Sequence, residues 1–253
     1  PNTMVDRINP ITSSQDRNTL KEDFSIDDQW PVIVEPFSQW VIEDKFVHET
    51  PAWERVGVHY TDAIAPYENL ILKLLNASHT ILGILGTLNG YKTVYEATSD
   101  DDFLTFLQAF LDEEVTPTLS DSDLDAIERY KKSIISRFQN PHINDQLFRI
   151  CQESSAKIPL FILPTVKAQL LSNKKIEKAA LIIAAWAKYN DGIDDNENSY
   201  EIVDTMSGTL IRTAALSMQN PMKFIEIKAV FGDLPQNPLF VDAYLHAIDK
   251  VRK

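Results

Sequence analysis

A long apolar stretch from Pro66 to Leu88 constrains this chain most, because it predicts a long helix. Pro66 suits the first turn of a helix, and an Asn-Gly pair directly after the stretch supplies a stop. Within the stretch, Asn76 and His79 are three residues apart. A helix projects residues at that spacing from one face, so the two polar side chains are expected to be neighbours.

The polar groups of this helix allow a chemical and a structural interpretation. Glu68 lies eleven residues, about three turns, before His79 and shares its sector of the helix. A carboxylate, an amide and an imidazole together suit binding an oxygen substituent and moving a proton. A lone histidine on an apolar face is more often a satisfied core residue. The local pattern therefore favours the structural interpretation.

The composition excludes several classes of protein. The 253 residues suit one large domain or two small ones, and 24 Lys and Arg against 37 Asp and Glu give a net charge of −13. Such a surface does not suit nucleic acid. No leader is visible and no run approaches the roughly 20 apolar residues that cross a bilayer, so we expect a soluble protein without a membrane partner. Cys151 is the single cysteine, so we expect a reducing cytoplasmic setting.

The remaining pattern predicts a mainly α fold with a small extended or β element near the amino end. Val32 to Val34 predicts a strand or extended segment, residues 36–44 a short helix, and Val58 to Ile64 a strand. Ser99 and the acidic residues after it predict a helix cap. The further predicted helices are 101–115, one after Asp121 that ends near Phe138, one from near His142, 164–171, 176–189, 209–218 and 238–251.

No motif for a cofactor or a metal ion is visible. The glycines at 83, 86 and 90 lie within or at the end of the predicted helix, where they cannot form a phosphate loop after a strand. The five histidines lack a paired metal-ligand spacing, so no metal site is expected. The chain opens at Pro1 with Met4 inside a well-formed segment, which suggests a piece of a longer polypeptide.

Several sequence blocks occur in a characteristic order. They are NTMVDRINP, VEPFSQWVIEDKF, LLNASH, RFQNP, and AAWAKY with its Gly-Ile-Asp loop. The first resembles a Val-Asp-Arg-Ile-x-Pro signature, and the second a Glu-Pro-Phe-x-Gln-Trp-Val block. Together they resemble the long-chain, polyol-specific dehydrogenases, the family of mannitol dehydrogenase and fructuronate reductase, over nearly the whole chain.

This resemblance implies an enzyme of two domains. An amino-terminal Rossmann-type domain would bind NAD or NADP, and a carboxy-terminal helical domain would supply most of the substrate site. Residues 1–253 are similar to the second domain alone, so the expected partners are the absent first domain and a small polyol or sugar acid. The implied reaction is a metal-independent exchange of a polyol or aldonate with a ketose or keto-acid. The choice of substrate, NAD against NADP, and the oligomeric state stay open.

The resemblance also implies roles for individual residues. Asn76 would donate to the developing oxyanion, and His79 would orient substrate hydroxyls. Taken alone, Arg149 and Lys157 are interpreted as solvated helix charges, and only their family positions make a role at the substrate equally well supported. The further positions that the family uses around its substrate or base are Asp6, Glu68, Arg149 and Lys157.

One position departs from the family pattern. The family's base is a Lys five residues before the Asn, and Ile71 stands there. Ile has no proton to exchange, so the ordinary mechanism is expected to be disabled. Lys73 is two positions on, about 200° around an α-helix, and is expected to point almost the opposite way. Two hypotheses follow: the substrate domain of a polyol or sugar-acid dehydrogenase, or a helical binding or assembly domain that has lost catalysis.

Overall fold

The computed structural model of this protein describes residues 1–119 and 123–252. This part is mainly helical with a three-stranded sheet near its amino end, which confirms the predicted class. Two π-helical segments cover Ile71–Asn76 and Leu111–Val115. The α-helices are α1 Ser14–Phe24, α2 Ala65–Leu70, α3 Ala77–Leu88, α4 Val94–Thr98, α5 Asp101–Phe110, α6 Leu124–Phe138, α7 Leu147–Cys151, α8 Ser154–Phe161, α9 Leu163–Leu171, α10 Glu177–Tyr189, α11 Ser207–Ser217, α12 Met222–Ile225, α13 Lys228–Phe231 and α14 Pro238–Val251.

The sheet corrects one prediction near the amino end. Its strands are β1 Thr3–Asp6, β2 Gln39–Glu43 and β3 Val58–Thr61, with β2 antiparallel to β1 and parallel to β3. The predicted helix over 36–44 is wrong, because β2 is hydrogen-bonded on both sides and buries two β-branched side chains, Val41 and Ile42. Pairing with distant strands overrides a short amphipathic pattern.

The long apolar helix is confirmed, with a change of geometry inside it. A continuous helical stretch runs from Ala65 to Leu88, in which the π-helical segment joins α2 to α3. By length and apolar composition the stretch is sufficient to cross a bilayer, so the prediction that no apolar run approaches that length is wrong. Within its apolar 18-residue window, 56% is buried inside the protein, as is usual for a core helix.

Helix α10 forms the centre of the core, as its AALIIAAWAKY sequence predicts. It packs against α14 and α3, and Trp186 on it is fully buried. Helix α3 also packs against α7, and two glycines permit the close approach. A Cβ on Gly83 would lie 3.0 Å from the Cys151 sulfur, and one on Gly86 would lie 2.6 Å from Leu147 Cδ1. The glycines therefore bring α7 close to the helix that carries Asn76 and His79.

Two other helix boundaries differ from the prediction. The helix expected from near His142 begins only at Leu147. The preceding residues are held instead by backbone hydrogen bonds from Val94 to Asp145 and from Leu147 to Lys92. Helix α6 begins at Leu124 and is capped by the Asp123 side chain, while Asp121 lies outside the described residues.

Local capping explains one helix that was predicted and one that was missed. The Asp100 carboxylate accepts hydrogen bonds from the backbone amides of Asp102 and Phe103, which confirms the predicted acidic cap of α5. Helix α1 was not predicted, although Ser13 and Asp16 form a capping box at its start. Helix α1 has too few apolar residues to show a helical periodicity, so the capping box is the stronger local signal.

Candidate active site

The π-helical segment aligns Ile71 with Asn76. In an α-helix, residues five apart point about 140° away from each other. A π-helical turn closes hydrogen bonds between residues i and i+5, which brings that pair onto one side, one turn apart. The Asn76 amide is half-buried and makes no hydrogen bond with the described residues. The Asn76 amide is therefore available to a ligand on the side of the helix where Ile71 also lies.

Ile71 lies beside a cavity but carries no polar group into it. The side chain is half-buried against the core and borders a cavity of about 260 Å³ together with Tyr67 and Tyr130. Lys73 donates to the carbonyl and hydroxyl oxygens of Thr118 at 3.1 and 3.2 Å. This agrees with the predicted direction of Lys73, away from the position of Ile71.

His79 lies three residues after Asn76, in an enclosed environment. Its ring packs on Phe138 with 4.6 Å between centroids, and its side chain is 16% exposed. Burial lowers the pKa of His79 to about 3, and the nearby cations of Arg149, Arg137 and Lys157 add to the effect. The imidazole is therefore neutral near pH 7 and offers one hydrogen-bond donor and one acceptor.

Asp145 joins His79 to Arg149. Its Oδ2 atom is 3.6 Å from His79 Nε2, and neither of these buried atoms has a hydrogen-bond partner. Its Oδ1 atom accepts hydrogen bonds from Arg149 Nε, at 3.1 Å, and from Arg149 Nη2. Burial raises the pKa of Asp145, whereas its hydrogen bond and charge interaction with Arg149 oppose that rise.

Lys157 adds a second cation next to α7. Its ammonium donates to the carbonyl oxygen of Ile150 at 2.8 Å, so α8 holds it against the end of α7. Burial lowers the pKa of Lys157, and the charge of Arg149 contributes. The π-helical segment, α3, α7 and α8 thus bring an amide, a neutral imidazole, a guanidinium and an ammonium to one region.

Asp6 lies in a buried ion-pair network next to this region. Arg137 donates to Asp6 Oδ1 at 2.6 Å and to both carboxylate oxygens of Glu35, while Tyr130 donates to Asp6 Oδ2 at 2.6 Å. The ring of Phe37 covers the guanidinium with 4.1 Å between its centroid and the Arg137 Cζ atom. Both oxygens of Asp6 are thus occupied by side chains of the protein.

The described residues contain no metal-ligand group, and the two glycines of α3 do not form a phosphate loop. Across residues 1–119 and 123–252, no group of three or more His, Cys, Asp and Glu side chains is arranged to hold a metal ion. Gly83 and Gly86 face packed side chains of α7 inside a helix, so they cannot cradle a pyrophosphate.

Comparison with protein families decides the classification. The model of the mannitol dehydrogenase C-terminal domain matches residues 63–252. The chain belongs to this family. The model of the mannitol dehydrogenase Rossmann domain matches residues 1–55, so β1, α1 and β2 resemble part of the nucleotide-binding domain. The resemblance found in the sequence blocks is thereby confirmed.

Individual members of the mannitol dehydrogenase family match the whole chain. A mannitol 2-dehydrogenase of Aspergillus clavatus is 39% identical over all of this chain and 51% of its own length. The structure of Pseudomonas fluorescens mannitol 2-dehydrogenase, a ternary complex with NAD and D-mannitol, is 40% identical with a TM-score of 0.92, and the match covers 100% of this chain and 51% of that one. A substrate-free D-sorbitol dehydrogenase is 28% identical with a TM-score of 0.87, covering 99% and 51%. The chain spans about half the length of these relatives.

The predicted site residues of this family member fall into three groups. Asn76, His79, Arg149 and Lys157 lie in one region, and Asp6 adjoins it through Arg137. Glu68 is exposed on α2, where its carboxylate makes no hydrogen bond with the described residues. Two side chains that organise the region, Asp145 and Arg137, had no predicted role. The spacing of four between Asp145 and Arg149, within the helix that the sequence predicted from near His142, was the available signal for Asp145.

Proposed function

We propose that this chain is the substrate-binding half of an NAD-dependent polyol dehydrogenase of the mannitol 2-dehydrogenase type. The convergence of Asn76, neutral His79, Arg149 and Lys157 carries the proposal. A polyol presents several hydroxyl groups that both donate and accept hydrogen bonds. An amide and an imidazole match both capacities, and two cations add fixed donors. The relatives named above act on mannitol or sorbitol by name, which agrees with this chemistry.

The charge balance of the region favours a neutral polyol over a sugar acid. Arg149 is paired with the buried carboxylate of Asp145, so its positive charge is compensated within the protein. Lys157 donates to a backbone carbonyl, which leaves its single positive charge for a ligand. A carboxylate ligand would be bound better by two uncompensated cations than by the one that is available here. An aldonate, as in fructuronate reductases, is therefore the second choice of substrate.

The residues of this chain would bind and orient the substrate rather than remove its proton. NAD, held by a nucleotide-binding half, would supply the hydride acceptor. Asn76 would donate to the oxygen of the reacting carbon, while His79 and Arg149 hold neighbouring hydroxyls. Ile71 contributes no base at the position where the family uses Lys. The proposed partners are therefore a small polyol and the Rossmann domain of the same polypeptide, and the single buried Cys151 fits a cytoplasmic location.

Ile71 also favours a second candidate function, a polyol-binding or assembly domain without turnover. The experiment is an assay of the two-domain polypeptide and its Ile71→Lys variant with NAD⁺ or NADP⁺ against mannitol, arabinitol, mannonate and altronate. General base catalysis contributes about 10²–10⁴-fold, so we expect Ile71→Lys to raise kcat for mannitol by at least about 100-fold. Leu72→Lys, at the exposed neighbouring position, is the matched control and should not raise it.

Each outcome of this assay separates the candidates. Activation by Ile71→Lys with mannitol supports the dehydrogenase and a disabled natural site. Strong, equal activity in both proteins would refute the claim that Ile71 is disabling. Inactivity of both, with no binding of D-mannitol in calorimetry, would refute the polyol dehydrogenase. Inactivity with retained D-mannitol binding would favour the binding domain.

A further inference from the structure

Two buried polar atoms in the candidate site face each other without another partner. His79 Nε2 and Asp145 Oδ2 are 3.6 Å apart, and both are shielded from solvent. A buried polar atom without a hydrogen bond costs about 1–3 kcal/mol. A contraction of about half an ångström brings the two atoms to ordinary hydrogen-bond distance. The geometry therefore favours a bond between them once the site tightens around a ligand.

The remaining atoms of both side chains determine which atom donates. Asp145 Oδ1 already accepts two hydrogen bonds from Arg149, which favours the ionised carboxylate. An ionised Oδ2 can only accept, so Nε2 of a neutral His79 must carry the proton. The other ring nitrogen, Nδ1, makes no hydrogen bond with the described residues and is not among the enclosed atoms.

We propose that Asp145 is a positioning residue that holds His79 in the Nε2–H tautomer and Arg149 in its bound orientation. Nδ1 of His79 is then an acceptor for a ligand hydroxyl, while Arg149 presents its remaining N–H groups as donors. One carboxylate thus sets an acceptor and a donor side by side, which matches two hydroxyls on adjacent carbons. The identity of the ligand as a polyol rests on the proposed function, whereas the tautomer does not.

The Asp145→Asn variant gives a specific expectation for the tautomer. An amide has one accepting oxygen and one donating NH₂ group in place of two acceptors. Arg149 offers two donors to one side, so the amide oxygen is expected to stay with Arg149 and the NH₂ group to face His79. Nε2 must then accept, which moves the ring proton to Nδ1. The acceptor that a ligand hydroxyl needs becomes a donor.

The test is a long-range ¹H–¹⁵N NMR spectrum of the histidine rings near pH 7. It is recorded on the ¹⁵N-histidine-labelled 253-residue chain, and the spectrum of His79→Gln identifies the His79 signals among the five histidines. We expect the Nε2–H pattern in the natural chain and the Nδ1–H pattern in Asp145→Asn. Asp112→Asn removes a carboxylate that is paired with Lys131 on another surface, and should leave His79 unchanged.

The natural chain alone is sufficient to overturn the proposal. An Nδ1–H pattern there refutes it, even if Asp145→Asn does not fold. A folded Asp145→Asn variant that keeps the Nε2–H pattern also refutes it. D-mannitol titrated by calorimetry tests the proposed function separately: we expect at least tenfold weaker binding in Asp145→Asn, the loss of about one hydrogen bond. If the NMR spectra show the expected tautomers but the natural chain does not bind D-mannitol, the positioning role is supported and the polyol ligand is refuted.

Discussion

The guanidinium of Arg137 donates hydrogen bonds to the carboxylates of both Asp6 and Glu35. Arg137 is buried between the carboxylates of Asp6 and Glu35, and β1 and the segment before β2 are thereby fixed to α6. The backbone amide of Ile8 adds a bond of 2.6 Å to Glu35. Asp6, predicted at the edge of the substrate site, is thus bound by the protein itself. A role in holding Arg137 next to His79 is consistent with that prediction, which stays untested.

Removing Arg137 would leave two buried carboxylates side by side. Breaking a buried ion pair from one side costs about 3–5 kcal/mol, so we expect Arg137→Ala to lower the free energy of unfolding by about that amount. Arg129 on the same helix is exposed, and its Nη2 atom is 3.9 Å from Asp123 Oδ2. Arg129→Ala should therefore change the free energy of unfolding by less than about 0.5 kcal/mol. Urea denaturation of the two variants checks this. Equal effects would show that the buried network does not stabilise the fold.

At the scale of elements, the site depends on how closely α7 approaches α3. Gly86 is expected to hold this distance, because a Cβ there would lie 2.6 Å from Leu147 Cδ1 on α7 and 3.2 Å from the Cβ of Ala97 on α4. Alanine is about 1 kcal/mol better than glycine inside a helix, but overpacking a core costs about 1–3 kcal/mol. We therefore expect Gly86→Ala to be destabilising by up to about 2 kcal/mol.

The matched control for this prediction is another helical glycine. Gly208 in α11 has no atom within 4 Å of the position of a Cβ, so Gly208→Ala should raise the free energy of unfolding by up to about 1 kcal/mol. Thermal or urea unfolding measures the stability of both variants, Gly86→Ala and Gly208→Ala. D-mannitol binding should weaken in Gly86→Ala, because a displaced α7 carries Arg149 with it. A stabilised Gly86→Ala with unchanged binding would contradict a spacer role for the glycine.

Helices with a strong apolar period were predicted well from the sequence, whereas elements that depend on distant partners were not. The 65–88 and 177–189 helices needed only their own residues to be recognised. Strand β2 becomes a strand because β1 and β3 pair with it, and a local pattern cannot contain that information. The π-helical segment was also missed, since its hydrogen bonds replace α-helical ones without a sequence signal.

The candidate site was predictable in the same uneven way. Asn76 and His79 are on one helix, so their spacing predicts their proximity. Arg149 and Lys157 were placed there by family resemblance alone, and the fold brings them to His79 from other helices. Asp145 was overlooked because its importance comes from a contact between α3 and the segment that precedes α7. Packing, rather than any local pattern, creates that contact.

At the scale of the whole molecule, exposed apolar side chains are frequent in the first sixty residues. Trp30 is 85% exposed and Val47 is 93% exposed, and Val5, Val32 and Val56 are also open to solvent. Large exposed apolar areas usually mark a surface that another protein surface covers. Residues 1–55 match the model of the Rossmann domain, and the relatives are about twice as long as this chain. We therefore expect a nucleotide-binding domain like that of the relatives to cover these side chains.

Hydroxyl-radical footprinting tests this assignment on the 253-residue chain and on the two-domain polypeptide. We expect Trp30 and Val47 to be labelled readily in the chain and several-fold less in the longer protein, because the added domain excludes solvent from them. Leu171, 86% exposed at the end of α9, is the internal control and should be labelled equally in both. Equal labelling of Trp30 in both proteins would place the nucleotide-binding domain elsewhere. Protection of Leu171 instead of Trp30 would move the interface to the surface around α9.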